Sequence, residues 1–202
     1  MLKLNLGCGL NKYDGYVNVD HSAALGPDMV WDLEQTPWPW EDSSVDEILM
    51  EHVLEHLGET SSQYLKIWQE IYRVGKDGCA VRIMVPHWTH DNFHNDPTHQ
   101  RPVTPEGIEL FDQARNVRDA QKGERGSKLG LILGIDISLD PKDVEFFYSG
   151  DVVASMQRGE FPREALEHLR DHQNNIANEV RMVARVVKPM RGAQWLAQHS
   201  HA

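Results

Sequence analysis

A short apolar run, Leu2–Leu6, ends in Gly7–Cys8–Gly9, and a second strand-like run, Tyr16–Asp20, ends on a carboxylate only 11 residues after Gly9. Glycines let a chain turn tightly and let a ligand reach the backbone without meeting a Cβ. A carboxylate closing the next strand can accept hydrogen bonds from both hydroxyls of a ribose. This spacing also excludes a great deal. The dinucleotide fingerprint needs a third glycine and an acidic residue about 20 positions further on. Here Asn11 stands where the third glycine belongs, and no full crossover helix fits between Asn11 and Tyr16. The first helix is therefore cut to about a turn, with Asn11 taking the left-handed conformation that asparagine tolerates. A nicotinamide dinucleotide, whose pyrophosphate rests on a helix N-terminus, is disfavoured.

Strands and helices alternate after that turn. Met29–Leu33 reads as a weaker third strand, and Thr36–Ser44, with two prolines, as a loop. Val45–Met50 is the fourth strand. Thr60–Val74 is a helix: Thr60 and Gln63 form a capping box, Leu65, Trp68, Ile71 and Tyr72 recur at helical spacing, and Gly75 supplies the stop. Cys79–Val85 is the fifth strand, ended by Pro86. Thr104–Ala120 reads as helix, Leu129–Leu139 as strand despite two glycines, Pro162–Asn175 as helix and Glu179–Val187 as the last strand. The pattern is α/β with a mostly parallel sheet. The 202 residues suffice for one domain over 1–190, with 86–128 and 140–178 as insertions forming a lid, and 191–202 as a loose tail.

A formal charge of −11 disfavours a nucleic-acid partner. The one basic-leaning stretch, Arg115, Arg118, Lys122, Arg125 and Lys128, is diluted by Asp119 and Glu124. No apolar run approaches the ~20 residues that span a bilayer, so no membrane partner is expected. The first residues lack the apolar middle region of a signal peptide, and the two cysteines, Cys8 and Cys79, make no disulfide framework; both point to the cytoplasm.

Taken in order, LNLGCG, GYVNVD, DLEQTPWPWEDSSVDEI and EHVLEHL resemble the class I (type 11-like) S-adenosylmethionine-dependent methyltransferases, in a subgroup with a shortened first crossover. The resemblance covers roughly residues 2–105 and returns at VRMVARVVKP. It implies a Rossmann-like, seven-stranded sheet with an antiparallel last strand and helices on both faces. It implies S-adenosyl-L-methionine as cofactor, a ligand that carries no phosphate and needs no helix dipole. Gly7 and Gly9 would line its methionine part, with Leu6, Cys8 and Asn11 as further cofactor-binding candidates, Asp20 would hold the ribose, and Asp32 with Leu33 would face the adenine. Glu51 and His52 would border the transferred methyl. The expected activity is methyl transfer to an oxygen or nitrogen of a small-molecule acceptor, with the acceptor and the oligomeric state left open. Rival readings are a non-catalytic cofactor-binding module, aminopropyl transfer on the same fold, and a metal-dependent hydrolase.

The hydrolase reading comes from the histidines. His52–His56 fits the H-x-x-E-H pattern that binds zinc in inverzincins. It is set aside because the resemblance accounts for the same string, with Val53, Leu54 and Leu57 packing and Glu55 and His56 structural; no metal is assigned. A second cluster, His87, His90, His94 and His99 with Asp91 and Asp96, begins where the fifth strand ends, the side on which open α/β sheets bind ligands. Three roles compete there: acceptor contact or general base, metal ligation, and a polar loop that closes the pocket. His87, nearest the strand end, is the first candidate base. His90, His94, His99 and Trp88 are acceptor-binding candidates, with Phe93 beside Trp88 as an apolar wall. Trp38 and Trp40 are expected to pack the proline loop.

Overall fold

In the computed structural model, which describes residues 1–199, the glycine turn is the hinge of a seven-stranded sheet. The strands are β1 (Lys3–Leu6), β2 (Val17–Asp20), β3 (Met29–Val30), β4 (Val45–Glu51), β5 (Gly75–Pro86), β6 (Ile137–Tyr148) and β7 (Ala177–Val186). They lie in the order β3-β2-β1-β4-β5-β7-β6. The first five pair in parallel, and β7 runs antiparallel to both β5 and β6. The chain leaves β1 toward one edge and returns to β4 on its other side. The C-terminal ends of β1 and β4 thus open a crevice at the point where the strand order reverses.

Alternation decides the two faces of the sheet. Ile48 and Met50 of β4 and Val81, Ile83 and Val85 of β5 point into the core with Ile67, Trp68, Ile71 and Val74 of helix α1 (Ser61–Val74). At the start of α1, Thr60 and Gln63 form the expected capping box, with the Thr60 hydroxyl accepting from the Gln63 backbone N–H at 3.2 Å. On the opposite face Glu47 gathers Lys3 at 3.0 Å, Arg82 at 2.7 Å and the Tyr16 hydroxyl at 2.8 Å. Desolvation pushes against it, yet hydrogen bonds from Tyr16, Lys3 and Arg82 bring the Glu47 carboxyl down to about 2.

Between β1 and β2 there is no helix. A turn closes from Asn11 N–H to the Cys8 carbonyl at 2.8 Å, and two buried asparagines hold the loop from inside the strands. Asn5 Nδ2 donates to the Asn11 carbonyl at 2.7 Å and to Asn18 Oδ1 at 3.0 Å, and Asn18 Oδ1 also accepts from Tyr13 N–H at 2.9 Å. The left-handed positions are Gly7, Gly9 and Gly15, with φ of 68°, 53° and 81°; Asn11 is not one of them, contrary to expectation.

Several element boundaries differ from the sequence reading. The third strand is only two residues long. The expected helix over Thr104–Ala120 breaks into α3 (Pro105–Glu109) and α4 (Gln113–Gln121), after a four-residue helix α2 (Asp91–His94). At the break Phe111 turns into the core onto Trp68, ring centroids 4.8 Å apart, and Asp112 caps α4 by accepting from Arg115 N–H at 2.9 Å. The first half of the apolar stretch read as strand is helix α5 (Leu129–Leu133), stopped by Gly134 at φ 66°. A short apolar run with glycines fits helix and strand equally well, and here Gly134 ends one before Ile137 starts the other. The β6 strand then runs on to Tyr148, into the segment expected as an insertion. Helices α6 (Gly150–Gln157) and α7 (Ala165–His172) fill the remaining connection to β7.

The expected loose tail is also different. Residues 193–199 form helix α8 (Ala193–His199), while 200–202 lie outside the described residues. Arg191 is pinned to Asp136, which is 0% exposed, with its Nη2 donating at 2.6 Å and its Nε at 2.9 Å. No helix among the described residues is long and apolar enough to cross a membrane. The basic stretch is largely neutralised on the surface: Arg115 pairs with Glu109 and Asp119, and Lys122 with Glu124.

Candidate functional site

Two adjoining cavities open at the C-terminal ends of the strands. The larger, about 730 Å³, is lined by Gly7, Asp20, Trp31, Asp32, Leu33 and Glu34 on one side and His52, Val53, His56, Leu57 and Thr98 on the other, with His21 at its edge. The smaller, about 230 Å³, shares His52 and His56 and adds Glu55, Asn92, Asp96, His99, Asn178 and Glu179.

The glycine turn shapes the larger cavity. A Cβ on Gly7 would lie 2.5 Å from Val53 Cγ2, so the strand end and the segment after β4 pack backbone against side chain. Gly9 N–H donates to Asp20 Oδ2 at 2.9 Å, and Ser22 N–H donates to Asp20 Oδ1 at 2.9 Å. Each carboxylate oxygen therefore spends one lone pair on the backbone, and the exposed His21 ring lies 3.4 Å from Oδ1. Leu6 and Cys8 are buried beneath the turn, and Asn11 lies exposed beyond it; none of the three lines the cavity, and neither does Gly9, contrary to expectation. On the far wall, Asp32 accepts from Glu34 N–H at 3.0 Å, and Glu34 reaches across to accept from Gly58 N–H at 2.6 Å. Trp38 and Trp40 pack the proline loop edge to face, as expected, with Trp38 Nε1 donating to the Leu33 carbonyl at 2.9 Å. Trp31, which sequence reasoning passed over, is the tryptophan on the cavity wall.

His52 stands where the two cavities meet. Its backbone is left-handed at φ 54°, and its ring lies 3.5 Å from Glu55 Oε1 and 3.5 Å from Glu179 Oε1, on Nδ1 and Nε2 respectively. The Glu55 carboxylate beside it, together with Glu179, holds its pKa above the ordinary histidine value.

The other expected catalytic residues lie elsewhere. Glu51 accepts from the Tyr13 hydroxyl at 2.9 Å and lines a separate groove with Arg82, Met84 and Arg181 on the opposite sheet face. His87 is 1% exposed, stacked on Trp88 with centroids 4.0 Å apart and edge-on to Phe146. Burial lowers its pKa to about 4, and it lines neither cavity. Trp88 packs with it rather than walling an acceptor site. His90 caps α2, accepting from Asn92 N–H at 3.0 Å, and His94 is exposed. Of the expected acceptor residues only His99 reaches the cavities.

What the sequence reading took as structural, Glu55 and His56, is in the site. Glu55 is 0% exposed and neither carboxylate oxygen has a hydrogen-bond partner; the 3.5 Å contact with His52 is ionic, outside hydrogen-bond geometry. His99 is stacked on Phe93 and meets His56 edge to face at 4.6 Å. The H-x-x-E-H reading fails on geometry: residues 54–56 form a single tight turn, and His52 does not share a ligand cluster with His56.

No family model and no curated protein matches the chain. Solved structures do. A SAM-dependent methyltransferase from Archaeoglobus fulgidus superposes with a TM-score of 0.58 at 19% identity, over 91% of this chain and 85% of that one. The [4+2]-cyclase SpnF superposes with a TM-score of 0.50 at 14% identity, over 92% and 75%. With its strand order, antiparallel β7 and crevice at the glycine turn, the chain has the fold of the class I S-adenosylmethionine-dependent methyltransferases.

Proposed function

We propose that this protein binds S-adenosylmethionine in the larger cavity and transfers its methyl group to an oxygen or nitrogen of a small-molecule acceptor held in the smaller one. The observation that carries this reading is the convergence of Gly7, Asp20, Asp32 and Leu33 on one cavity at the strand-order reversal. These residues suit the ligand. The Asp20 carboxylate lines the cavity as an acceptor for ribose hydroxyls, Leu33 and Trp31 offer apolar surface for a base, and the buried Trp31 Nε1 has no partner within the protein. Asp32 stands at the cavity's far wall to accept from an exocyclic amine.

The cofactor supplies a methyl already activated by positive sulfur, so the protein's task is alignment and removal of the acceptor's proton. His52 borders both cavities, but with a carboxylate on each ring nitrogen it is held toward its charged form, so the Glu179 carboxylate, which lines the smaller cavity beside it, is the group placed to take that proton. The SpnF match is a reminder that this fold also carries a [4+2]-cyclase; the present reading rests on the site rather than the fold.

Titration calorimetry of the purified protein with S-adenosylmethionine and S-adenosylhomocysteine tests it. Micromolar binding, about −8 kcal/mol, should fall at least tenfold in Asp20→Ala and more modestly in Asp32→Ala. Because Asp20 also holds the glycine loop, circular dichroism must show the variants folded. Absence of heat with either ligand in folded wild-type protein would overturn the proposal.

A further inference from the structure

The residues between the two cavities carry a second constellation. One ligand atom from each of Glu55, His56 and His99 falls within 4.8 Å of the others. The three come from separate segments, Glu55 and His56 from the turn after β4 and His99 from the loop after β5. Neither histidine string contains the set by itself.

Two independent features of these side chains point to a cation. The first is Glu55. A fully buried carboxylate with no hydrogen bond on either oxygen is costly unless something positive faces it. His52 answers only one oxygen, and at 3.5 Å. The second is how the two imidazoles are held. His99 Nδ1 sits 2.7 Å from the Phe93 carbonyl, which can only accept, so Nδ1 carries the proton. Thr98 Oγ1 donates to Asp96 at 2.6 Å and so accepts from His56 Nδ1 at 2.9 Å. Both rings are thereby fixed in the tautomer that leaves Nε2 with its lone pair. Metal-binding histidines are oriented in this way, by donating the other ring N–H to an outer partner.

We infer that Glu55, His56 and His99 form a binding site for a divalent transition-metal ion at the junction of the two cavities. Two imidazoles and one carboxylate suit zinc, manganese or iron(II) and leave coordination positions open. Those positions border the smaller cavity, where Asp96, Asn178 and Glu179 complete the wall. An acceptor bearing a hydroxyl or vicinal hydroxyls can ligate the ion there, which orients the oxygen and favours its deprotonated form. That role rests on the methyl-transfer reading above; the metal site itself does not.

The experiment uses chelator-treated, full-length protein titrated with Zn²⁺ and separately with Mn²⁺, followed by calorimetry and by the metal-induced rise in melting temperature. Wild type should bind one equivalent. His56→Ala and His99→Ala should weaken binding at least tenfold, and Glu55→Gln should abolish the metal-induced rise while melting higher than wild type without metal, because it removes a fully buried carboxylate that has no hydrogen bond on either oxygen. S-adenosylmethionine affinity, measured on the same samples, should stay within about threefold in the His99 variant, so loss of the metal site is distinguishable from loss of the cofactor site. Binding unchanged by all three substitutions, or no stoichiometric binding of either ion to folded protein, would overturn the inference.

Discussion

Burial holds the His87 imidazole at a pKa of about 4, against an ordinary value near 6.5. The sign of the effect on stability follows. As pH falls below 6.5 the unfolded chain takes up a proton at this position before the folded one does. The stabilisation is therefore complete above 6.5, shrinks between 6.5 and 4, and levels off below 4, by up to about 3 kcal/mol. Urea unfolding of wild type and His87→Phe across that range should show a steeper acid loss in wild type; parallel curves would mean that other groups carry the acid sensitivity. The location of His87 was legible from strand alternation. Cys79, Val81, Ile83 and Val85 all face the core, and His87 continues their parity, so nearness to the strand end was a poorer guide than phase. The same argument applies to Glu51, which shares the parity of Glu47 and Leu49 and so faces Tyr13 on the opposite side of the sheet. Gly7, left-handed and packed on Val53, and Asp20, which closes β2 and holds Gly9 N–H, sit where their sequence positions place them. His99 was named from the sequence, but its convergence with Glu55 was not legible, since that depends on two loops docking: the Glu55 carbonyl accepts from Gln100 N–H at 2.7 Å.

Among the elements, the turn after β1 is the one whose local sequence and tertiary contacts are most tightly coupled. Gly7 has φ 68°, and a Cβ there would meet Val53 Cγ2 at 2.5 Å and Cγ1 at 2.9 Å. Gly7→Ala thus carries two separable costs: about 1–2 kcal/mol for a left-handed residue with a side chain and about 1–3 kcal/mol for overpacking. Val53→Ala introduced with it removes the second and leaves the first. Chemical denaturation of the single and double variants should place Gly7→Ala Val53→Ala above Gly7→Ala in stability, relative to the Val53→Ala background. Additive effects would show that Val53 does not contact the new methyl. Elements with their own local signals, such as α1 with its capping box and heptad-like apolar stripe, were legible. The α3–α4 break was not, because it accompanies the packing of Phe111 against Trp68 of a distant helix. The α5 segment was misread because five apolar-rich residues have no phase of their own.

At the scale of the whole molecule, the chain beyond β7 closes the fold. Asp136, 0% exposed at the threshold of β6, accepts from Gln113 N–H at 3.1 Å, Arg191 N–H at 2.9 Å, Arg191 Nε at 2.9 Å and Arg191 Nη2 at 2.6 Å. Arg191 also pairs with Asp112 at 3.1 Å, and Gly192 N–H donates to Gln113 at 2.9 Å. One guanidinium and one carboxylate thus join the start of α4, the entry to β6 and the segment after β7. Nothing in the composition of RGAQWLA announces this, since the partner that orders it lies 55 residues upstream. Arg191→Ala would leave a buried carboxylate with two backbone donors and no counter-charge. Breaking a fully buried pair costs about 3–5 kcal/mol, and because the Arg191 side chain is 36% exposed the expected loss is nearer ~2 kcal/mol. Arg191→Lys should recover only part of it, because an ammonium cannot reproduce the two-pronged contact. Urea denaturation measures both, and calorimetry with S-adenosylmethionine should find affinity unchanged if it binds in the larger cavity as proposed, since none of these residues lines that cavity. A loss below ~0.5 kcal/mol, within the range of an ordinary surface substitution, would return the segment after β7 to the loose tail that its sequence suggests.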